Sequence, residues 1–441
     1  MAKSSALDAM KHCSDILVEL RKCAKVLPGA RVSLSSGCEE LLDKFQECVV
    51  LSFAPLSEVE RAHRYARELS SLLAEVVRGL GGRGWALPRE TSDFSKDPLE
   101  HLKKKITLYT YDLLRKKMTI AEYASKARAA VGSSMRSNLR ILYEVYVLAS
   151  IVKHLSDHGA RMVYPEHKFV HFDRRGKQAS GSIPPNLVIE VEEKGALSFY
   201  LEAPRPLGWR DFKDLSRVWR FYVSLRPDIM VYSGLVLDIV DLSSEGPPVK
   251  RPDVIVECKE LEDWYLRTRE LKGPANPSLS FSEWFRRWLS GLWSGLADVL
   301  GVDSSVVKEV AEGKRRGVRV TEAQLVKFYE AFYKPKKFYL VSSPRLPGHV
   351  KSELESSGIV VYDGVRVGDP WALKDLAEEL LDYASPIGEP REHLRRLREA
   401  LRSAGVELGE EELARLLAEF ALSRLSEFRS FAVAKKAETV A

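Results

Sequence analysis

Residues Val254 to Lys259 read Val-Ile-Val-Glu-Cys-Lys. Its β-branched residues predict a buried strand. Because alternate side chains share a face of a strand, Glu257 and Lys259 point the same way and Cys258 points the opposite way. A buried strand gains no stability from a carboxylate and an ammonium at its end, since desolvating each costs several kcal/mol. The pair therefore indicates a functional site.

A second acidic residue opens another apolar strand, in the motif Arg226-Pro227-Asp228. If this strand neighbours the one that ends in Glu257, the two lie about 5 Å apart, and their carboxylates can share one hard divalent cation. Asp253 repeats the Pro-Asp pair, but it precedes Glu257 on the same strand by roughly 13 Å. Asp228 is therefore the preferred ligand, and Asp253 is the alternative if the strand bends or begins after it.

These motifs resemble the PD-(D/E)XK nuclease superfamily, with Pro227-Asp228 as the first half of its signature and Glu257-Cys258-Lys259 as the second. The resemblance covers roughly residues 135 to 365. It implies an α/β fold with a restriction-endonuclease-like mixed-sheet core, flanked by N-terminal and C-terminal helical regions.

The resemblance extends to two helices. The family places a helix with an acidic residue before the sheet, and here the nearly all-apolar stretch from Leu139 to Leu155 carries Glu144. Gln324 begins a segment similar to the Gln-Leu-x-x-Tyr element of RecB-like members, although Phe328 holds the expected tyrosine position and Tyr329 follows it. Glu144 is thus a third candidate carboxylate, and Gln324 is a candidate accessory residue.

The implied chemistry is hydrolysis of a phosphodiester by water activated on Mg²⁺ or Mn²⁺. Asp228, Glu257 and Glu144 would hold the metal, and Lys259 would orient or help deprotonate the water and stabilise the transition state. The implied partner is nucleic acid, with DNA preferred, and the resemblance also implies a homodimer. No Walker glycine-lysine loop occurs in the sequence, so any ATPase or helicase would be a separate partner.

Two other functions stay open. A non-catalytic nucleic-acid-binding or assembly subunit with a nuclease-like fold predicts that Asp228, Glu257 and Lys259 do not converge. An RNA nuclease is the third possibility, because catalytic carboxylates do not report the sugar. Basic residues that precede the Asp228 strand, Arg205, Arg210 and Lys213, are candidate phosphate contacts.

Patterning divides the chain into three parts. Helical periodicity predicts an all-helical domain over residues 1–130, and helical spacing returns in a C-terminal extension over 371–441. The nuclease-like core is expected over 131–370, with a helical insertion at about 262–317 that carries an aromatic stripe from Phe281 to Trp288. Strands are predicted at Leu187–Val191, Leu197–Leu201, Ile229–Tyr232, Val254–Glu257, Phe338–Val341 and Ile359–Tyr362.

The amino-acid composition bears on the partners, the location and the source organism of the protein. The 441 residues are 45% hydrophobic and carry a formal net charge of +6, which permits a polyanionic partner without requiring one. No apolar run approaches the length of a membrane span, and the N-terminus lacks a secretory core, so a cytoplasmic location is expected. Only three Asn and three Gln occur in the chain, a depletion that indicates a hyperthermophilic, archaeal-type source.

Four cysteines fall within the first fifty residues. Nine residues separate Cys13 from Cys23 and Cys38 from Cys48, on helix-like stretches that suggest a helical hairpin. In an antiparallel hairpin, residues with equal index sums lie level, which brings Cys13 beside Cys48 and Cys23 beside Cys38. The arrangement resembles twin Cys-x9-Cys helical hairpins, which implies disulfides between these level pairs. Buried thiols remain an alternative, and a zinc site is disfavoured because the spacing matches no short knuckle.

Overall fold

The computed structural model describes residues 2–28, 31–35, 37–172, 183–203, 226–241, 249–271, 318–387 and residue 409. Its internal contacts divide the chain into Met1–Ser385 and Pro386–Ala441, and every element described lies in the first unit. The predicted C-terminal extension beyond residue 387, the insertion from 272 to 317 and the basic residues Arg205, Arg210 and Lys213 lie outside the described residues.

Helices dominate the chain before residue 160. They are α1 (Ala2–Ala9), α2 (Ser14–Cys23), α3 (Cys38–Phe53), α4 (Leu56–Gly79), α5 (Arg89–Lys96), α6 (Pro98–Leu114) and α7 (Ile120–Asp157). The expectation that residues 1–130 are all-helical is wrong in two places. β1 (Ala24–Leu27) and β2 (Arg31–Leu34) form an antiparallel hairpin, and β3 (Gly84–Ala86) pairs in parallel with β5 (Phe169–His171).

The segment from Cys13 to Cys48 forms a cysteine hairpin in which α2 and α3 are joined through β1 and β2. Disulfides connect Cys13 to Cys48 and Cys23 to Cys38, with Cα atoms 5.9 and 5.8 Å apart. Both pairings implied by the resemblance are therefore confirmed, and the thiol and zinc alternatives are excluded. The level placement follows from the antiparallel course of α2 and α3.

Helix α7 spans 38 residues and forms the centre of the helical region. It begins at a capping box, in which Thr119 and Glu122 satisfy each other's backbone N–H groups. Its second half, which contains the predicted Leu139–Leu155 helix, is almost wholly buried. The helix runs through the domain boundary predicted at residues 130 and 131, so it packs both with the other helices and against the sheet.

The sheet is mixed and has seven strands in the order β13-β12-β9-β8-β7-β6-β4. These are β4 (Arg161–Tyr164), β6 (Leu187–Val191), β7 (Gly195–Leu201), β8 (Ile229–Ser233), β9 (Val254–Lys259), β12 (Lys337–Ser342) and β13 (Ile359–Asp363). Every strand predicted from the sequence is present. β12 runs parallel to both β9 and β13, whereas the other neighbours are antiparallel. The α/β fold class is thus confirmed.

Two apolar layers cover the sheet. Val254, Val256 and Cys258 of β9 belong to the core that contains α7, whereas Ile255 belongs to a second core on the opposite face. The second core includes α8 (Glu322–Tyr333) and α9 (Gly348–Glu355), and α10 (Lys374–Leu380) packs with the first. By this alternation Glu257 and Lys259 lie on the α8 face, at the end of their strand.

The helical insertion predicted at about 262–317 begins instead with a short 3₁₀ turn (Trp264–Leu266) and a strand. β10 (Thr268–Leu271) pairs antiparallel with β11 (Val318–Thr321), so the chain leaves and re-enters the core side by side. β11 continues directly into α8, whose first turn is capped by Thr321. Among the described residues, no helix is long and apolar enough to cross a membrane.

Candidate active site

Asp228 and Glu257 meet where strands β8 and β9 pair. Ile229 is registered against Val256, which places Asp228 opposite Glu257. The Asp228 backbone N–H donates to Glu257 Oε2 (3.2 Å), and the Cys258 N–H donates to Asp228 Oδ2 (2.8 Å). Both side chains are buried, with 8% and 2% exposure. Burial, reinforced by the charge of Asp228, raises the pKa of Glu257 above its ordinary value, against the opposing effect of Lys259.

Lys259 completes the expected motif. Its Nζ lies 2.8 Å from Oε1 of Glu257 and 3.2 Å from Oε2 of Glu322. Glu322 is the first residue of α8. Nζ also lies 5.6 Å from the centre of the Trp264 ring. Burial alone would lower the pKa of Lys259, but the carboxylates of Glu257, Glu322 and Asp228 outweigh it, and the pKa is raised. The lysine is therefore held as a fixed positive charge.

Three carboxylates, one of them Asp228 of this motif, form a carboxylate cluster. Oxygen atoms of Glu144, Glu202 and Asp228 all lie within 4.8 Å of one another, and all three residues are buried. Glu144 comes from α7, Glu202 follows β7 and Asp228 precedes β8. Glu257 is not a member of this carboxylate cluster, although the sequence grouped it with Asp228 and Glu144. It is held instead by its contact with Lys259.

Glu202 is the site residue that the sequence analysis missed. It follows the apolar strand Leu197–Leu201, so it showed the same signal as Glu257, a carboxylate at the end of a buried strand. Its backbone has φ +47°, and its N–H donates to the carbonyl oxygen of Asp228 at 2.6 Å. This bend turns the chain at the end of β7 and ties Glu202 to the start of β8.

Two arginines face the carboxylate cluster. Arg140 Nε lies 3.1 Å from Glu144 Oε1, and Arg140 Nη2 donates to Glu202 Oε1 at 3.4 Å. Arg226 Nη2 lies 3.6 Å from the same oxygen of Glu202. Because Glu144 lies four residues after Arg140 on α7, the first of these pairs is set by the helix itself. The charge of Glu144 raises the pKa of Arg140, against the opposing effect of partial desolvation.

Gln324 and Asp253, the two accessory candidates, lie outside the carboxylate cluster. The Gln324 side chain accepts the Thr321 N–H at 2.9 Å and forms the capping box of α8. Asp253 lies at the opposite end of β9 from Glu257, where it accepts the Ser233 N–H at 2.8 Å and pairs with Lys336 at 2.7 Å. Both have structural contacts that explain them. Tyr329, rather than Phe328, lines the pocket described next.

A pocket of about 220 Å³ opens over this end of the sheet. Its lining is mostly charged: Arg140, Glu202, Arg226, Asp228, Glu257, Cys258, Lys259, Glu260, Leu261, Trp264, Arg267, Glu322 and Tyr329. The motif Asp228, Glu257 and Lys259 thus converges in one cavity, together with cations that can bind an anionic group.

The carboxylate cluster fits a hard divalent cation. Such ions prefer carboxylate oxygens, and three of these converge here from different elements of the fold. Burying them side by side is unfavourable for folding, because like charges repel strongly away from water. A bound Mg²⁺ or Mn²⁺ would offset that repulsion, so the donor set matches the cofactor expected from the sequence.

Comparisons with models of protein families, with curated proteins and with solved structures gave no match to this chain. The function must therefore be inferred from the site itself.

Proposed function

We propose that this protein is a magnesium-dependent nuclease that hydrolyses phosphodiester bonds of DNA. The observation that carries the proposal is the convergence of Asp228, Glu257 and Lys259 in one pocket beside Glu144 and Glu202. A non-catalytic subunit would have no reason to keep buried carboxylates and a buried lysine together at a strand end, since each is costly to desolvate.

The order of elements also supports the proposal. The helix that carries Glu144, α7, precedes the sheet, the Pro-Asp motif opens β8, and the Glu-Cys-Lys motif ends β9. This is the arrangement expected from the resemblance to the PD-(D/E)XK superfamily. A restriction-endonuclease-like core is the finer description of the mixed sheet that we favour on this ground.

Glu144, Glu202 and Asp228 are the residues that would hold the ion, with Glu257 beside them. Mg²⁺ held there would neutralise charge on the phosphate and lower the pKa of a bound water, which would make the hydroxide nucleophile easier to form. Glu257 keeps Lys259 oriented through the 2.8 Å contact between Oε1 and Nζ. The fixed charge of Lys259 then favours the extra negative charge that the phosphate acquires in the transition state.

The decisive experiment measures cleavage of labelled single-stranded, duplex and branched DNA, and of RNA, at high temperature with Mg²⁺ or Mn²⁺. We expect Asp228→Asn and Lys259→Gln to abolish cleavage, because the first removes a ligand charge and the second the fixed cation. Asp253→Asn is the matched control, since it changes the other Pro-Asp aspartate at the far end of the same strand. It should cut at close to the wild-type rate.

The outcomes separate the candidate functions. Metal-dependent cutting of DNA that is lost in Asp228→Asn and retained in Asp253→Asn would establish the proposal. Cutting of RNA alone would replace DNA by RNA as the substrate. Binding of nucleic acid without cutting in any metal would refute the nuclease and favour a binding subunit.

A further inference from the structure

Arg140 contacts two of the three carboxylates that are suited to hold a divalent ion. Its Nε lies 3.1 Å from Glu144 Oε1, and its Nη2 lies 3.4 Å from Glu202 Oε1. One guanidinium therefore bridges oxygens that come from a helix and from the end of a strand. In this arrangement Arg140 is the counter-charge that contacts two members of the carboxylate cluster, whereas Arg226 contacts Glu202.

The partners differ in how freely they can move. The side chains of Glu144 and Glu202 are 1% and 2% exposed, whereas that of Arg140 is 45% exposed. The carboxylates are fixed within the packed core, but the arginine reaches them from the open side of the pocket. Arginine has a long, flexible stem, so its head can leave one partner for another while its backbone stays in α7.

A divalent ion and the guanidinium draw on the same two carboxylates. Ligand oxygens lie about 2.0 to 2.6 Å from Mg²⁺ or Ca²⁺, so an ion held here would lie within a few Å of the guanidinium, and the two positive charges would repel each other. The displaced guanidinium needs a new anionic partner inside a pocket that Asp228, Glu257 and Lys259 already line. Its planar fork matches two oxygens of a phosphate group.

We propose that Arg140 exchanges partners during substrate binding: it neutralises Glu144 and Glu202 in the metal-free protein, and it binds a phosphate of the nucleic acid once a divalent ion occupies those carboxylates. The inference rests on the proposed function and deepens it, because it makes Arg140 a substrate-binding residue whose availability depends on the metal. It predicts opposite effects on two affinities.

The first measurement is the affinity of the whole protein for Mn²⁺ without nucleic acid, by calorimetry. In Arg140→Met one of the two competing charges is gone and only Arg226 remains, so Mn²⁺ should bind more tightly, by roughly tenfold for one partly screened charge next to the site. Arg136→Met, which removes an exposed arginine one turn earlier on α7, is the matched control and should bind Mn²⁺ like the wild type. Arg140→Lys keeps a charge and should lie between the wild type and Arg140→Met.

The second measurement is the affinity for labelled single-stranded and duplex DNA in Ca²⁺. Arg140→Met should bind whichever DNA form the wild type prefers, single-stranded or duplex, roughly tenfold more weakly, because one bidentate contact with a phosphate is lost. Thermal unfolding with and without Mn²⁺ accompanies both measurements. The midpoint of Arg140→Met should rise more on adding Mn²⁺ than that of the wild type, because the ion replaces the missing counter-charge.

Tighter Mn²⁺ binding with weaker DNA binding would support the exchange. Weaker Mn²⁺ binding, or unchanged DNA binding, would overturn it, since Arg140 would then be a support for the metal ligands or a counter-charge alone. Failure of the proposed function is distinguishable: the wild type itself would then neither bind Mn²⁺ at this site nor cut nucleic acid.

Discussion

The cysteine hairpin and the carboxylate cluster each bring together side chains that are apart in the sequence, but they differ in how much of the fold is needed to do so. The outer disulfide, Cys13–Cys48, closes a separation of 35 residues within one hairpin. The carboxylate cluster joins Glu144 of a helix to Glu202 and Asp228 at two strand ends. The hairpin is a local structure, whereas the cluster exists only after the sheet and α7 have packed together.

The two regions also act oppositely on stability. Cross-links within the hairpin restrict the unfolded chain and so favour the folded state. The carboxylate cluster gathers like charges within 4.8 Å, and their repulsion opposes folding to the extent that Arg140 and Arg226 do not offset it. The hairpin therefore favours stability, whereas the proposed role of the cluster in chemistry would account for its cost in stability.

The largest effect expected is on cleavage when Glu202 is changed. Glu202→Gln removes one charge from the carboxylate cluster while keeping the shape of the side chain. The rate should fall on the order of a hundredfold or more, as for other residues that hold or orient a catalytic metal. Initial rates in Mg²⁺ test this. Glu190→Gln, on β6 and paired with Arg161, is the control and should cut normally.

If Glu202→Gln cut as fast as Glu190→Gln, the ion would be held without Glu202. The site would then be limited to the residues that the sequence indicated, namely Asp228, Glu257 and Glu144.

The next effect concerns stability and involves the hairpin. Replacing Cys13 and Cys48 together by Ala should lower the free energy of unfolding by about 4 kcal/mol, and replacing Cys23 and Cys38 by about 3 kcal/mol. The difference follows from the separations of 35 and 15 residues that the two disulfides close. Denaturant unfolding measures both losses. Cleavage well below the unfolding temperature should be unchanged in each variant.

A loss of cleavage in the folded cysteine variants would contradict the division of roles between the two regions. Equal losses of stability in both variants would show that native packing, rather than loop length, sets the contribution of each disulfide.

Prediction from the sequence succeeded where a signal is carried by neighbouring residues. The apolar strands β6 to β9 and β12 and β13 were found because large apolar and aromatic residues dominate each of them over four or five consecutive positions. The disulfide pairs followed from index arithmetic and a resemblance. The strands that were missed, such as β1, β2 and β4, are each four residues long and carry charged or exposed residues, so their sequences do not differ from those of loops.

The site was predictable only in part, because it depends on packing across the sheet. Asp228, Glu257 and Lys259 stand in short motifs at strand ends, and their convergence follows from the pairing of β8 with β9. The meeting of Glu202 with Asp228 depends on the register of β7. The contact of Arg140 with Glu202 depends on the position of α7 over the sheet. Neither relation is encoded in adjacent residues.

A smaller effect tests the charge repulsion in the carboxylate cluster. Mg²⁺ at ten times its dissociation constant should stabilise the wild type by about 1.4 kcal/mol through preferential binding to the folded state. The gain should vanish in Asp228→Asn, which lacks a ligand charge but keeps an oxygen to accept the Cys258 N–H. Without metal, Asp228→Asn should be at least as stable as the wild type. Thermal unfolding in Mg²⁺ and in EDTA measures both.

An Asp228→Asn protein that is less stable than the wild type in EDTA would mean that the carboxylate is already fully compensated by its surroundings. The contrast between the stabilising hairpin and the destabilising cluster would then fail.

The smallest effect expected is that of Gln324, which the sequence analysis treated as an accessory site residue. Its side chain caps α8 by accepting the Thr321 N–H, so Gln324→Ala should cost about 1 kcal/mol of stability and leave the cleavage rate nearly unchanged. Gln324→Glu keeps an acceptor at the same place and should restore the stability. Because Glu322 stands between the cap and Lys259, a rate loss in Gln324→Ala that Gln324→Glu reverses would instead mean that the cap positions the lysine.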